Sequence, residues 1–482
     1  MRRLVPPVAL LVPFAIGFLS AAPGLEAAAR NIVLIVADDH GRDTGAYGSK
    51  AVRTPHLDLL AAEGTRFEFA FCTTASCSPS RATILTGLQG HAHGQYGLQH
   101  AAHNFGARQR VRSLPRILKE LGYRTARIGK LHVQPEEVFP FNEELIGNPG
   151  GARNPVSMAE RCRPFIGKED ERPFFLYFCP GDTHRSGNVN QERPEKPDRF
   201  GNGPAYAGVT EVSFDPAQVA VPPYLPDLIE TRAELAEYYQ SIQRLDQGIG
   251  KLLDVLRETR RLESTLVVYM SDNGPPFPGA KTTLYEPGTR LPLIVRAPDR
   301  KRRGVVSNAM VSWIDIAPTI HAFAGGVPGK EKFHGRSFLA VLEEENPAGW
   351  DRVFASHNFH EVTMYYPMRS LRERKFKYTL NLAHGLPFPF ASDLYGSATW
   401  QAVLRRGDAN YGRRTVEAYV RRPREELYDL EADPHETANL ASDPAQAKIL
   451  AEMREKLKTW QKETGDPWAI KYSHEYGAYR RP

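Results

Sequence analysis

The sequence predicts an α/β fold, a largely parallel sheet flanked by helices, followed by a smaller α+β domain at the C-terminal end. Three observations predict it. Short β-branched and aromatic runs alternate with longer stretches of helical period. The first run, NIVLIVA (31–37), is continuously apolar, as a strand buried on both faces must be. After GRSFLAVLEEE (335–345) the pattern changes to short strands and one closing helix. With 482 residues, 41% of them hydrophobic and 10% aromatic, the chain can bury a core large enough for more than one domain.

Residues 1–29 begin with Arg2 and Arg3, continue through an apolar stretch from Leu4 to Leu19, and end in AAPGLEAAA. The stretch is 16 residues long and is interrupted by Pro6, Pro7 and Pro13. Crossing a bilayer takes roughly 20 apolar residues, so this segment reads as a signal peptide cleaved near Ala29. Export to a bacterial periplasm, or secretion, is expected, and no N-x-S/T sequon points to a glycosylated protein. The mature chain is expected to have no membrane or nucleic-acid partner. Its net charge of +6 suits an anionic substrate without requiring one. A first domain is assigned to residues 30–350 and a second to 351–482.

Four candidate strands follow in order: NIVLIVA (31–37), RTARIG (124–129), FFLYFC (174–179) and STLVVYM (264–270). Between the last two, apolar residues at 235, 238, 239, 242, 245, 249, 252, 253 and 256 mark a helix. Each strand is followed by polar or titratable groups. Asp38 and Asp39 follow the first, Lys130 and His132 the second, Asp182 and His184 the third, Asp272 and Asn273 the fourth. Any one of these pairs is adequately explained as a turn. Four together point to one rim, because open α/β sheets bind ligands beyond the carboxyl ends of their strands. The pairs Asp38–Asp39 and Asp272–Asn273 offer hard oxygen ligands, which suit Ca²⁺ or, in a tighter site, Mg²⁺ rather than zinc.

The stretch CSPSRATILTG (77–87) reads as a short helix with Pro79 in its first turn and Gly87 at its end. Cys77 then sits at a helix N-terminus, where the dipole favours negative charge, and Arg81 lies one turn on. Cysteines 72, 77, 162 and 179 would permit two disulfides in an oxidising compartment, in any of three pairings. A thiolate, however, is a poor partner for a hard cation. Position 77 makes better sense beside a metal if it presents oxygen.

In the C-terminal part, RVFASH (352–357) and KFKYTLNL (375–382) read as strands. The closing helix is capped by Asp443 with Pro444 in its first turn, and Ile449, Leu450, Met453, Leu457 and Trp460 lie along one face. By spacing alone, His357, His360 and Glu361 are ordinary surface polar residues.

The C-S-P-S-R stretch, together with the paired aspartates and D-N-G (272–274), resembles the signature of the sulfatase family. HNFHEVTMYYPMRS (357–370), SDNGPPFPGAKTTLYEPGT (271–289), FGNG (200–203), ELYDLEADPHETANLA (426–441) and GDPWA (465–469) resemble its sulfamidase branch, the N-sulfoglucosamine sulfohydrolases. The resemblance implies an alkaline-phosphatase-like fold, with a large mixed but mostly parallel sheet and a C-terminal four-stranded antiparallel sheet carrying one helix. It implies that Cys77 is oxidised to formylglycine by a formylglycine-generating enzyme. One hydroxyl of the aldehyde's hydrate would then bind Ca²⁺, and the other would attack sulfur. Asp38, Asp39, Asp272 and Asn273 would ligate the same ion. Arg81 and Lys130 would hold the hydrate, and His132 would take a proton from its second hydroxyl. His184 would bind the sulfuryl group or protonate the leaving nitrogen, and Lys281 would contact the sulfate oxygens. Asp182, His360 and Glu361 would recognise the sugar, a sulfated glucosamine saccharide from heparan sulfate or heparin. A homodimer is compatible with the family.

Two departures stand out. Lys281 occupies a place where sulfamidases carry arginine, and Ser186 replaces a cysteine that the animal enzymes pair in a disulfide. Cys77 is therefore left unpaired, and Cys72, Cys162 and Cys179 read as buried thiols. The alternatives are an O-sulfatase, a phosphate or phosphonate ester hydrolase of the same superfamily, or a non-catalytic binder of acidic glycans.

Overall fold

Strand β1 (Asn31–Ala37) is buried along its whole length, and its alternation shows how. Ile32, Leu34 and Val36 join one apolar cluster, while Val33, Ile35 and Ala37 join another. The strand is thus the middle of a sheet covered by helices on both faces, as its unbroken apolar run requires. In this computed structural model the described residues are 30–147, 150–185 and 199–469. The expected signal peptide and Ser186 lie outside them.

The sheet also contains β2 (Thr65–Phe71), β3 (Arg124–Gly129), β4 (Glu143–Glu144), β5 (Phe174–Cys179), β6 (Thr265–Ser271), β7 (Leu293–Arg296) and β8 (Val305–Ser312). Its eight strands run in the order β4-β3-β5-β1-β6-β7-β2-β8. Only β7 is antiparallel to its neighbours. The sheet is therefore mixed and mostly parallel, and the four strands singled out by sequence are adjacent: β3, β5, β1, β6.

One face is covered by α2 (Cys77–Thr86), α3 (Leu114–Glu120) and α6 (Ile316–Phe323), through Ile84, Leu85, Leu114, Leu118, Ile316 and Ile320. The other is covered by α1 (Pro55–Ala62), α4 (Pro155–Ile166) and α5 (Ile229–Glu258), through Leu57, Leu60, Met158, Cys162, Leu245 and Leu252. Helix α5 extends the period read at 235–256 at both ends. No described helix is long and apolar enough to cross a membrane. All four cysteines are buried and free, so the two-disulfide option is overturned.

The C-terminal sheet is formed by β9 (Arg352–His357), β10 (Met368–Glu373), β11 (Phe376–Asn381) and, beyond a small hairpin of β12 (Asn410–Tyr411) and β13 (Arg414–Thr415), β14 (Glu425–Asp429). It is antiparallel throughout, in the order β14-β11-β10-β9. Before β14 comes α7 (Ala398–Arg406), and after it α8 (Ala447–Thr464). Leu450, Met453, Leu457 and Trp460 of α8 pack on Leu371, Tyr378 and Leu427. Asp443 caps as read from sequence, accepting from the Ala445 N–H, but it caps a 3-10 turn (Pro444–Gln446) that leads into α8.

Polar ties join the two parts. The Ser356 N–H donates to the Thr73 carbonyl at 2.7 Å, and Thr74 Oγ1 donates to the Ser356 carbonyl at 2.6 Å. On α5, Glu234 accepts from the backbone N–H groups of Ala398 and Thr399, which anchors the start of α7. At the far end, Arg369 of β10 is fully buried and donates to both oxygens of Asp466, at 2.6 and 3.0 Å. Asp466→Ala would strand a buried guanidinium. A loss of about 3–5 kcal/mol in apparent unfolding free energy is expected, measured by denaturant titration, with the far-UV spectrum of the folded protein unchanged.

Candidate active site

The ladders of the large sheet continue past its strand ends, and this continuation brings the predicted pairs together. The Asp38 N–H donates to the Asp182 carbonyl, Thr183 N–H to the Asp38 carbonyl, Asp272 N–H to Ala37, and Lys130 N–H to Cys179. The chain then turns sharply at each exit. Asp39, His132 and Thr282 all have positive φ, at 60°, 57° and 67°. Such values are uncommon outside glycine and gather at functional sites. At the end of β3, Gly129 has φ +83°, and a Cβ there would lie 1.9 Å from the Cys179 carbonyl oxygen. Only glycine allows the bend that presents Lys130.

Helix α2 begins at Cys77, which the sequence placed at its N-terminus, with Ser76 as the cap residue and Gly87 closing it at φ 66°. The Cys77 Sγ lies 3.7 Å from Asp39 Oδ1. Ligand atoms of Asp38, Cys77 and Asp272 fall within 4.8 Å of one another, as do those of Asp39, Cys77 and His184. Asn273 Nδ2 donates to Asp39 Oδ1 at 2.7 Å, while its buried Oδ1 has no partner. A buried amide oxygen that has no donor among the described residues, on a side chain bonded to Asp39, is a group that a divalent cation with oxygen ligands would complete.

Cations interleave with these acids. Lys130 Nζ donates to both oxygens of Asp38, at 2.9 and 2.7 Å. Arg81 Nε donates to Asp272 Oδ2 at 2.8 Å, and its buried Nη2, 3.6 Å from Asp38, has no acceptor. Lys281 Nζ donates to Asp39 Oδ2 at 2.9 Å and lies 3.3 Å from His184 Nε2. Burial pushes the Asp38 carboxyl up, but Lys130, His184 and Arg81 together outweigh it and hold it well below the usual carboxylate range. Burial also raises Asp272, and there Asp38 and Asp39 add to the rise against Arg81. The fixed cations thus leave Asp272 short of positive charge. Burial likewise holds the Cys77 thiol far above its ordinary value, against Lys130 and Lys281. An unmodified cysteine in this place is a protonated thiol and a weak nucleophile.

The histidines divide by their partners. His184 Nδ1 lies 2.5 Å from the Arg185 carbonyl, which can only accept, so the proton of the neutral ring sits on Nδ1 and Nε2 carries the lone pair. His132 Nε2 meets His100 Nδ1 at 2.6 Å, and its buried Nδ1 has no partner. His360 is buried, with Nδ1 2.8 Å from Ser76 Oγ, so it braces the start of α2 from the C-terminal part.

Two of the residues expected at the sugar have partners within the protein. Asp182 is fully buried and spends both oxygens on Arg244, at 2.7 Å each, with Arg153 at 3.2 Å. It holds the exit of β5 in place and has nothing left for a sugar. Glu361 Oε1 accepts from the Ser392 N–H and Oγ, at 2.8 and 2.6 Å, so it pins a neighbouring segment. That segment carries a residue the sequence reading missed, Asp393, whose Oδ2 accepts from Lys281 at 2.8 Å. His100 was also missed. Neither stands beside a strand end or a recognisable motif.

This arrangement defines a class. A profile described as Sulfatase matches residues 30–327, and the chain belongs to the sulfatase family, a family of hydrolases. A second profile, described as N-sulphoglucosamine sulphohydrolase, C-terminal, matches residues 280–383. The N-sulphoglucosamine sulphohydrolase of Homo sapiens is 43% identical over 459 residues, 91% of either chain. An ulvan-active sulfatase of Formosa agariphila is 26% identical, covering 90% of this chain and 75% of its own. A solved structure described as in complex with its substrate D-glucosamine-2-N,6-O-disulfate aligns with a TM-score of 0.64 at 21% identity, over 93% of this chain and 100% of that one. At that identity the likeness speaks for the fold.

Asp182→Ala removes the carboxylate that neutralises Arg244. It should lower apparent stability by about 3–5 kcal/mol. In the protein that remains folded, substrate KM should change less than about threefold, the opposite of what a sugar-binding residue would show.

Proposed function

We propose that this chain hydrolyses the N-sulfate of non-reducing-end glucosamine in heparan sulfate or heparin fragments. One observation carries the reading. The match to the human N-sulphoglucosamine sulphohydrolase runs through nearly the whole chain, and the sulfamidase-specific profile covers Lys281, His360 and Glu361. We further propose that the chain is exported, that a formylglycine-generating enzyme converts Cys77, and that Ca²⁺ is held by Asp38, Asp39, Asp272, Asn273 and residue 77. The ion and the modified residue would supply Lewis-acid polarisation of the sulfuryl oxygens and an oxygen nucleophile, respectively.

The chain's own groups account for the rest. A sulfamate is an anion, and attack on it by an anionic oxygen is repelled. Arg81 Nη2, which has no acceptor among the described residues, and the ammonium groups of Lys130 and Lys281 offset that repulsion as charge grows on the sulfuryl oxygens. Nitrogen leaves poorly as an anion. His184, with Nδ1–H fixed on the Arg185 carbonyl, would take up at Nε2 the proton that the leaving nitrogen needs and pass it on. His132 accepts a proton at its buried Nδ1 during release of sulfate, while His100 bonds its other nitrogen.

The deciding assay uses protein co-produced with a formylglycine-generating enzyme, with Cys77→Ala as the blank. N-sulfoglucosamine should yield free amine and sulfate, and 6-O-sulfated N-acetylglucosamine should yield no sulfate. Cleavage of the second compound alone would make the protein an O-sulfatase. Stripping divalent ions with a chelator should reduce turnover at least about a hundredfold, the scale of losing a Lewis acid from such a site. Added Ca²⁺ should restore it better than Mg²⁺.

A further inference from the structure

Asp393 is joined to the nucleophile's surroundings through Lys281 without belonging to the expected set of site residues. Its carboxylate is divided in its work. Oδ2 accepts from Lys281 Nζ at 2.8 Å, whereas Oδ1 is buried and has no hydrogen-bond partner among the described residues. The side chain is 21% exposed, so the group stands in the wall between protein and opening. Burial raises its carboxyl, but Lys281 beside it, with smaller effects from His184 and His360, holds it below the usual carboxylate range. An ionised oxygen left without a donor is costly, and a donor that the protein does not provide has to arrive with what enters.

Its position is set from two sides. Lys281 bridges Asp393 Oδ2 and Asp39 Oδ2, at 2.8 and 2.9 Å, and Asp39 Oδ1 is 3.7 Å from Cys77 Sγ. One ammonium therefore separates Asp393 from the wall that carries the nucleophile. In an in-line displacement the leaving atom lies opposite the nucleophile, beyond the oxygens that Lys281 grips. From behind, Glu361 fixes the preceding residue through the Ser392 N–H and Oγ. The segment Ser392–Tyr395 is a single helical turn whose orientation is locked by those bonds.

We propose that Asp393 reads the leaving group: its Oδ1 accepts the N–H of the sulfamate, making Asp393 a specificity-determining residue and Glu361 the residue that positions it. The inference rests on the sulfamidase reading above. It names the feature by which the site tells an N-sulfate from an O-sulfate, since the bridging atom of an O-sulfate has no hydrogen to donate. A site built to bond a donor discriminates strongly against a substrate that lacks it, because its acceptor is left unpaired. After the S–N bond breaks, the same oxygen faces an amine, to which it remains a suitable acceptor.

Asp393→Asn is a sharp test. Lys281 can only donate, so the amide oxygen stays toward it and the NH₂ takes the place of Oδ1. A donor then stands where an acceptor is needed, while the link to Lys281 survives. In the matured, metal-loaded full chain, kcat/KM for N-sulfoglucosamine should fall about 10- to 100-fold, the scale of one charge-assisted hydrogen bond lost. The inhibition constant of glucosamine should rise in parallel, and that of inorganic sulfate should change less than about threefold. Asp393→Glu, which keeps the charge but moves the oxygens by one methylene, should likewise spare sulfate and impair the sugar. Equal weakening of sulfate and glucosamine would overturn the proposal by reducing Asp393 to a support for Lys281. So would unchanged constants, a loss beyond about 10⁴-fold, or a collapse of the melting temperature in both variants. If the unmutated enzyme releases sulfate from the 6-O-sulfated sugar and none from N-sulfoglucosamine, the functional reading itself fails and this inference goes with it.

Discussion

Three carboxylates, Asp38, Asp39 and Asp272, are buried side by side at the ends of adjacent strands, and the rest of the site is arranged around their mutual repulsion. Unpaired charges in such a place would not be tolerated. Lys130 answers Asp38, Arg81 answers Asp272, and Lys281 answers Asp39. The neutralisation is uneven. Asp38 is held ionised, while Asp272 is raised by burial and by its two acidic neighbours. The orphaned oxygen of Asn273 lies in the same cluster. Three clustered carboxylates and an amide oxygen form a donor set that suits a hard divalent cation. The same cations have a second use, since groups that hold carboxylates apart in the resting protein also attract an anionic substrate.

The fold serves this cluster with two devices. The parallel centre of the sheet aligns four exits, so residues from four distant stretches of sequence converge without any long loop between them. The C-terminal part then closes over the result. His360 bonds the cap residue of α2, Ser356 and Thr74 tie β9 beneath it, and Asp393 reaches Lys281. The surroundings of Cys77 are thus shared between the two parts of the chain, through His360 at Ser76 and Asp393 at Lys281.

What sequence could reveal follows from that division. Asp38, Asp39, Lys130, His132, His184, Asp272 and Asn273 all stand within a few residues of a strand end, and Cys77 stands at a helix start, so local pattern located each of them. Asp182 obeyed the same rule. Its place at a strand end says nothing of Arg244, which arrives from the middle of α5. Asp393 sits on a single helical turn and His100 on an irregular segment, both too short for a period to mark a side chain as facing inward. Their positions depend on long-range bonds, Glu361 to Ser392 in one case and His132 to His100 in the other, and such bonds leave no trace in spacing. The C-terminal helix was legible because its apolar stripe is periodic. The short 3-10 turn that begins it was not, since a cap residue followed by proline serves either kind of helix.

The lysine at position 281 is best understood as a junction. An ammonium offers three donors on a tetrahedral centre, whereas a guanidinium offers its donors in one plane. Lys281 has acceptors in three directions: Asp39 at 2.9 Å, Asp393 at 2.8 Å and the lone pair of His184 Nε2 at 3.3 Å. The first two are charged and short, and the third is neutral and long, so a sulfuryl oxygen that competes for Lys281 displaces His184 first. That exchange frees the Nε2 lone pair at the moment an anion enters, and the anion in turn favours a proton there. Under the function proposed here, binding of the sulfuryl group and arming of His184 as the acid for the leaving nitrogen would be one event, made possible by a cation compact enough to stand between three partners.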